Sequence, residues 1–176
     1  MLMSGAEGDQ LLEATESSSE IVDSNSRIKI LMVCSAGGHL DQLLQLRTWW
    51  QNHDRSWVTF DLPDARSKLA GETLIPAHHP TTRNLLNLAR NTPLALRVIR
   101  RFKPDVVISN GAGVAVPFFL MARAMNIPTV YIEVYDRVDS HTLTGRLVGP
   151  LTTRFCVQWP EQQPFYPGSV LTGPLY

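Results

Sequence analysis

The chain has 176 residues, 44% of them hydrophobic, and its 16 basic residues balance 16 acidic ones. This length fits one domain with or without a tail, and the hydrophobic content excludes a globally disordered chain. A formal net charge of zero argues against a dedicated nucleic-acid-binding protein, because such proteins carry an excess of Lys and Arg. No nucleic-acid partner is therefore expected.

Residues 1–26 contain acidic residues and no Lys or Arg, and they are rich in Ser. A segment of this composition cannot bury enough apolar surface to fold, so a disordered acidic tail is predicted. The segment also lacks the basic start and the long apolar core of a signal peptide. The folded domain is predicted to span residues 27–176.

No transmembrane segment is predicted. The nearest candidate, residues 114–125, is shorter than the roughly 20 apolar residues that span a bilayer, and Pro117 and Arg123 interrupt it. The two cysteines, Cys34 and Cys156, lie in apolar runs and are predicted to be buried, reduced thiols in the cytoplasm. No metal-ligand spacing is present, so no cofactor is expected.

The first half of the chain alternates short apolar runs with segments of helical spacing. Residues 28–34 form an apolar run before a small-residue turn, which is typical of a buried parallel strand. Leucines at near-helical spacing between residues 40 and 46 then predict a helix. Further strands are predicted at 57–60 and 73–76, separated by a loop with a short helix over 61–71.

The second half continues the alternation. Residues 82–102 have a helical pattern in which Pro93 predicts a break or a kink. Two clear buried strands are predicted at 105–109 and 127–133, with an apolar helix between them that ends near Met125. The last strands are predicted at 154–158 and 169–172.

Strands that alternate with helices indicate an α/β fold with a Rossmann-like, doubly wound and mainly parallel sheet. Right-handed crossovers place the carboxyl end of every strand on one rim, where such sheets bind ligands. Three segments with glycine, polar or charged residues follow strands at this rim. The candidate site therefore consists of residues 35–39, 109–113 and 133–137.

Gly37 and Gly38 lie between a strand and a helix, where backbone N–H groups can approach an anion at the helix start. The pattern is neither the Gly-x-Gly-x-x-Gly dinucleotide fingerprint nor a P-loop. A tight turn that simply requires glycine is the alternative. Ser35 opens the turn, and the absence of a Gly-x-Ser-x-Gly elbow argues against a serine hydrolase.

His39 follows in the first turn of the predicted helix, where the positive helix end favours the neutral imidazole. A neutral imidazole can bind a hydroxyl or act as a general base. The alternative is a capping or merely exposed histidine.

Asn110, Gly111 and Gly113 repeat the glycine pattern after the next clear strand. Their glycines permit close approach of a ligand or of a neighbouring backbone. Glu133 ends a third strand and can act as a base or hold sugar hydroxyls at the rim. It can instead pair with Arg137 or cap the following segment.

A basic stretch lies between Glu72 and Asp105, where no acidic residue occurs. Its arginines alternate with leucines over residues 82–102. A crossover helix with a basic solvent face is one reading, and contact with anionic lipid head groups or a diphosphate is the other. The candidate membrane residues are Arg83, Arg90, Arg97, Arg100 and Arg101.

Several motifs occur together in one order between residues 28 and 176. They include Ser35–His39, Ser109–Gly113, Tyr131–Glu133, Leu143–Leu147 and Val157–Pro160. This ordered combination resembles the family of the membrane-associated, acceptor-side subunit of the two-subunit N-acetylglucosaminyltransferase that makes dolichol-linked chitobiose. Bacterial members of this family serve exopolysaccharide and capsule synthesis. The pattern also resembles, more distantly, the N-terminal domain of the peptidoglycan lipid-linked N-acetylglucosaminyltransferase.

The resemblance implies one half of a GT-B glycosyltransferase that is divided between two polypeptides. This half would bind a polyprenyl-diphosphate-linked acceptor and an anionic membrane surface on the cytoplasmic face. A small partner subunit would bind the UDP-sugar and dock near residues 155–176. His39 and Glu133 are the expected catalytic residues. The expected substrate-binding residues are Ser35, Gly37, Gly38, Asn110, Gly111, Gly113 and Arg137.

The eukaryotic subunit of this family carries an N-terminal membrane helix, whereas residues 1–26 here are acidic and polar. This difference favours a bacterial-type relative. Two alternatives remain open: a non-catalytic scaffold that recruits a complete glycosyltransferase to the membrane, and a free-standing nucleotide-binding protein.

Overall fold

The computed structural model describes residues 26–81 and 84–176. The predicted acidic tail therefore lies outside the described residues, except for Ser26. Both cysteines are buried free thiols, as predicted. Burial raises the pKa of Cys34 to about 12.

Seven parallel strands of the described residues form a single sheet, so the predicted Rossmann-like, parallel α/β fold is confirmed. The strand order is β3-β2-β1-β4-β5-β6-β7. The strands are β1 (Lys29–Val33), β2 (Asp54–Thr59), β3 (Leu74–Pro76), β4 (Val106–Ser109), β5 (Thr129–Ile132), β6 (Arg154–Val157) and β7 (Val170–Leu171). The order reverses between β1 and β4, which is the place where ligands bind in open α/β sheets.

In the part of the chain that the structure describes, six α-helices connect or flank the strands. They are α1 (Gly38–Leu44), α2 (Arg47–Trp50), α3 (Pro63–Lys68), α4 (Leu85–Phe102), α5 (Ala115–Ala124) and α6 (Leu143–Val148). Two short 3-10 helices span Gly149–Leu151 and Pro160–Phe165. Within the described residues, no helix is long and apolar enough to cross a membrane.

Alternate side chains of the strands bury themselves on opposite faces of the sheet. In β1, Leu31 and Val33 pack in the core that lies under α4 and α5. Ile30 and Met32 pack in the other core, with α1 and α2. Both faces of the strands are covered, which explains why the sequence shows continuous apolar runs.

A break or a kink was expected at Pro93, and the break is wrong because α4 runs through this residue as one helix. Proline removes one backbone hydrogen bond and costs about 3 kcal/mol inside a helix. Pro93 lies on the exposed side of α4, while Ala95, Val98 and Ile99 are buried against the core. This apolar packing offsets the cost. The helix α6 is an element that the sequence pattern did not predict.

Candidate functional site

A cleft with a volume of about 250 Å³ opens beyond the carboxyl ends of β4 and β5. Four of the predicted site residues line it together, although they come from three separate segments of the chain. These residues are His39, Gly111, Glu133 and Arg137. The rest of its wall consists of Ala112, Tyr131, Val134, Asp136, Thr142 and Thr144.

His39 is fixed across the β1/β4 reversal by two reciprocal hydrogen bonds. Its Nδ1 lies 3.1 Å from the backbone oxygen of Asn110. The Asn110 side-chain amide in turn donates to the backbone oxygen of His39 over 2.7 Å. Because a carbonyl oxygen only accepts, Nδ1 carries the proton and Nε2 keeps the free lone pair of a neutral ring.

The pKa of His39 is lowered, mainly because burial disfavours the charged ring. The carbonyl of Asn110 and the charge of Asp136 oppose this effect on the pKa of His39. The neutral form expected from the sequence is thus favoured. Burial is its main cause, whereas the helix start was the expected one.

Gly111 makes room for the His39 ring. Its φ of 126° lies in a region that residues with a side chain rarely adopt. A Cβ at this position would lie 2.9 Å from Cε1 of His39 and 3.2 Å from the hydroxyl oxygen of Tyr131. This glycine is therefore required both by its backbone conformation and by the packing of the cleft.

Glu133 is buried at the end of β5, and its carboxylate accepts several hydrogen bonds. The backbone N–H of Val134 donates to Oε1 over 2.9 Å. The Thr142 hydroxyl donates to Oε2 over 3.0 Å. Burial raises the pKa of Glu133, while hydrogen bonds from Tyr166, Val134 and Thr142 oppose the rise.

Arg137 brings an exposed guanidinium to the cleft. Its Nη1 lies 3.5 Å from the hydroxyl oxygen of Ser140, which is a weak contact. The structure thus combines a neutral imidazole, a shielded carboxylate and an available cation around one concave surface. Such a set can accept a proton from a hydroxyl and bind a phosphate.

The family described as "Oligosaccharide biosynthesis protein Alg14 like" matches residues 78–175, which is more than half of the chain. The chain belongs to this family. The UDP-N-acetylglucosamine transferase subunit ALG14 of Mus musculus is 27% identical over 182 residues, covering 83% of this chain and 82% of the mouse protein.

Two further relatives are larger proteins. The UDP-N-acetylglucosamine–N-acetylmuramyl-(pentapeptide) pyrophosphoryl-undecaprenol N-acetylglucosamine transferase of Halothermothrix orenii is 36% identical over 78 residues, covering 44% of this chain and 20% of that protein. The crystal structure of Acinetobacter baumannii MurG superposes with a TM-score of 0.67 at 19% identity, covering 84% of this chain and 46% of that chain. This Alg14-family chain therefore spans less than half of MurG, and the likeness shows the shared Rossmann-like GT-B fold.

Of the first glycine turn, only His39 is part of the cleft wall, and Ser35, Gly37 and Gly38 are not. Gly37 has a φ of 79°, and its N–H donates to the Asp64 carboxylate over 3.1 Å. A bound anion would have to displace this carboxylate. Ser35 is half-buried at the end of β1, and a Cβ on Gly38 would meet nothing within 4 Å.

Two residues of the second turn face the protein instead of the cleft. A Cβ on Gly113 would lie 3.1 Å from the backbone oxygen of Thr81, so this glycine permits a close approach of neighbouring backbone. Asn110 is fully buried and contacts the cleft only through His39. The sequence left open whether the glycines of this turn permit close approach of a ligand or of a neighbouring backbone. Gly113 fits the second explanation.

Sequence reasoning missed the groups that surround Glu133. Thr142 and Gly145 lie at the start of α6, next to the motif at residues 143–147. A Cβ on Gly145 would lie 2.5 Å from Oε2 of Glu133 and 2.7 Å from the Tyr166 hydroxyl. Nothing in the sequence around Tyr166 indicates that it lies against Glu133.

The basic stretch forms one side of a layer in which α4 packs on α5 and α5 packs on α6. None of these three helices contains an acidic residue. The candidate membrane arginines within the described residues are all exposed: Arg90, Arg97, Arg100 and Arg101. Arg83 lies outside the described residues. Leu85 and Leu86, at the start of α4, are 80% and 61% exposed.

The residues that the structure describes include no group of three His, Cys, Asp or Glu side chains arranged to hold a metal ion.

Proposed function

We propose that this Alg14-family chain is the acceptor-binding, membrane-associating subunit of a two-subunit glycosyltransferase. The enzyme would transfer a sugar from a UDP-sugar, with inversion, to a polyprenyl-diphosphate-linked sugar. N-acetylglucosamine or a related hexose or uronic acid is the proposed donor sugar. The activities named for the mouse and Halothermothrix relatives support a UDP-sugar donor, and that of the latter also supports a polyprenyl diphosphate.

The observation that carries this proposal is the locked, neutral His39 in the wall of the cleft. Its Nδ1 is bound to the Asn110 carbonyl, so Nε2 is the atom that accepts the proton of the attacking hydroxyl. Glu133, the other expected catalytic residue, is less suited to this role because Val134 and Thr142 already donate to both of its oxygens.

The acceptor would bind between Arg137 and the second glycine turn. The exposed Arg137 guanidinium supplies charge for a diphosphate, which planar arginine binds well. Asn110 is fully buried, so we propose that it acts on the acceptor through His39, whose backbone oxygen accepts from its side-chain amide. The proposed phosphate role of Gly37 and Gly38 has weaker support, since Asp64 binds the Gly37 amide.

The membrane contact is proposed for the acid-free layer of α4, α5 and α6, with the protein peripheral on the cytoplasmic face. Exposed leucines at the start of α4 would enter the head-group region beside the arginines. Each arginine near an anionic surface contributes about 1 kcal/mol, so changing Arg97, Arg100 and Arg101 to Glu should weaken liposome binding by at least about 100-fold.

Sedimentation with phosphatidylglycerol-containing liposomes measures this effect. The matched control reverses three charges as well, at Arg27, Lys29 and Arg47, which are exposed but lie outside α4, α5 and α6. Equal loss of binding in both variants would mean that liposome binding depends on the net charge of the protein and not on the position of the arginines in α4. Unchanged binding of the triple variant of α4 would favour the alternative interpretation, in which α4 is a crossover helix with a basic solvent face.

The donor-binding partner is proposed to dock near residues 155–176. The edge strand β7 lies there, and its Val170 and Leu171 are about half exposed. Tyr176 is also exposed. An edge strand with apolar side chains offers both backbone and side-chain contacts to another protein.

Reconstitution tests the divided enzyme. The chain is added, with and without the candidate partner, to UDP-[14C]-N-acetylglucosamine and a polyprenyl-diphosphate-linked sugar acceptor. Transfer only by the pair is the expected result. Full transfer by the chain alone contradicts a divided enzyme, and full transfer by the partner alone favours the scaffold alternative. Tight binding of UDP by the isolated chain would favour a free-standing nucleotide-binding protein.

A further inference from the structure

One wall of the cleft is built from a segment that is neither helix nor strand. Residues 134–142, here called the cleft segment, follow β5 and end at the start of α6. Val134, Asp136, Arg137 and Thr142 of this segment line the cleft. Because these residues lack a backbone ladder of their own, other groups must fix their positions.

Gln162, in the 3-10 helix Pro160–Phe165, supplies much of this fixation. Its side chain is fully buried and uses both ends of its amide. Oε1 accepts from the backbone N–H groups of Gln158, over 2.8 Å, and Trp159, over 3.1 Å. Nε2 donates to the backbone oxygens of Val134, over 2.7 Å, and Arg137, over 3.0 Å.

The two ends of this amide therefore join two different parts of the protein. The oxygen is bound to the chain just after β6, which belongs to the rigid sheet. The two amide protons are bound to the cleft segment, including the backbone of Arg137. A buried amide with all four contacts made defines one geometry for the segment, since each unmade contact would cost a buried hydrogen bond.

Other contacts support the same segment at different points, including the Thr142 N–H, which donates to the Tyr166 hydroxyl over 2.9 Å. The indole N–H of Trp159 donates to the backbone oxygen of Tyr135 over 2.8 Å. At the far end, the Thr142 hydroxyl donates to Glu133. None of these contacts touches Arg137, so the position of the arginine backbone depends on Gln162.

We propose that Gln162 is a positioning residue for acceptor binding, because its amide protons hold the Arg137 backbone in the wall of the cleft. The catalytic part of this inference rests on the proposed function, whereas the structural part does not. Gln162 does not line the cleft itself. Its effect on an acceptor would therefore pass through Arg137.

Gln162→Glu tests the proposal with almost no change of shape. The introduced carboxylate can still accept from Gln158 and Trp159, but it cannot donate to the two carbonyl oxygens of the cleft segment. The matched control is Gln45→Glu, which adds the same charge at an exposed position outside the cleft and outside residues 155–176. Gln162→Met, which removes both ends of the amide without adding charge, is the second variant.

Hydrogen exchange measured on the full chain gives the structural readout. In Gln162→Glu, the amides of residues 134–142 should exchange at least about 10-fold faster, because two buried hydrogen bonds are lost and one alone is worth roughly 10-fold. The amides of β1 and β4 should keep their wild-type rates, and residues 134–142 of Gln45→Glu should exchange at the wild-type rate. Wild-type exchange of the cleft segment in both Gln162 variants would overturn the proposal without any transfer assay.

Kinetics of the reconstituted pair give the functional readout. The acceptor KM should rise about 10-fold in Gln162→Glu while the UDP-sugar KM stays at the wild-type value. Lowering the pH should partly restore the acceptor KM of this variant only, because a protonated carboxyl can again donate one hydrogen bond.

A general loss of folded enzyme would lower kcat and leave both KM values unchanged, and that result contradicts a positioning role. If the wild-type pair transfers no sugar, the proposed function fails. The exchange measurement then still decides whether Gln162 holds the cleft segment.

Discussion

The two glycine-bearing turns at the rim of the sheet have similar sequences but different surroundings. The turn after β1 directs the Gly37 N–H toward the Asp64 carboxylate. The turn after β4 places Gly111 against the ring of His39, with no space for a side chain. Both turns flank the point where the strand order reverses, so both were reasonable candidates for a ligand cradle.

The difference shows that a glycine after a strand does not by itself identify a phosphate site. In the second turn, Gly111 leaves room for the side chain of His39, which belongs to the first turn. The two turns contact each other through the hydrogen bonds between His39 and Asn110. Together, the two turns therefore fix the position of one imidazole, that of His39. Four predictions test this comparison, from the largest expected effect to the smallest.

His39→Ala should lower kcat of the reconstituted pair by about 100-fold or more, the usual effect of removing a general base. The measurement is sugar transfer at saturating acceptor and donor. His53→Ala is the control, because His53 packs on Trp49 at the opposite end of the strands. Near-normal turnover of His39→Ala would remove this residue from the mechanism and leave Glu133 as the candidate base.

Gly111→Ala should lower kcat/KM by roughly 10-fold and destabilise the fold by about 1–3 kcal/mol, since alanine is strained at a φ of 126°. The added Cβ would also push the His39 ring away from its position. Gly38→Ala should have little effect on either quantity, because its Cβ would meet nothing within 4 Å. Urea unfolding and transfer kinetics measure both variants. Equal effects of the two substitutions would contradict the prediction that glycine is required in the second turn and not at Gly38 of the first turn.

Much of the fold could be predicted from the sequence because both faces of the strands are buried. Continuous apolar runs identified β1, β4 and β5, and the glycines that follow β1 and β4 located the rim. Because these loops share one rim, the proximity of His39, Gly111 and Glu133 could be predicted without any knowledge of side-chain contacts. These predictions needed only the geometry of parallel strands.

The rest depended on contacts between residues that are distant in sequence. Gln162 and Tyr166 approach Glu133 and the cleft segment only because β6 pairs with β5 and the chain then turns back over the rim. The short helix α6 has too few residues for a periodic pattern. The sequence could not show that the helix continues through Pro93, because the destabilising effect of proline is offset by packing of α4 on the core.

The stability of the protein should depend on pH through His39. Its pKa in the folded state is lowered from the value of 6.5 that applies to an unperturbed histidine. Below pH 6.5 the unfolded chain therefore binds a proton more readily, so the free energy of unfolding should fall as the pH drops toward the lower, folded pKa. His39→Gln removes this contribution.

Urea unfolding of the wild type and His39→Gln between pH 5 and pH 7.5 measures the effect as a difference between two curves. Titration of all other groups cancels in this difference. The wild type should lose more stability than the variant on acidification. A parallel pair of curves would mean that the His39 ring is not held in its buried, neutral form.

Asp64→Asn should give the smallest effect, and it tests the role of the first turn directly. The asparagine oxygen can still accept from the Gly37 N–H, but the negative charge beside the turn is removed. If the turn binds no phosphate, the acceptor KM should change by less than about 3-fold, as expected for a partly exposed charge. Asp61→Asn, which removes an exposed carboxylate paired with Arg66, is the control. A clear fall of the acceptor KM in Asp64→Asn alone would restore Gly37 and Gly38 as a phosphate site, because only a bound anion would gain from losing that carboxylate.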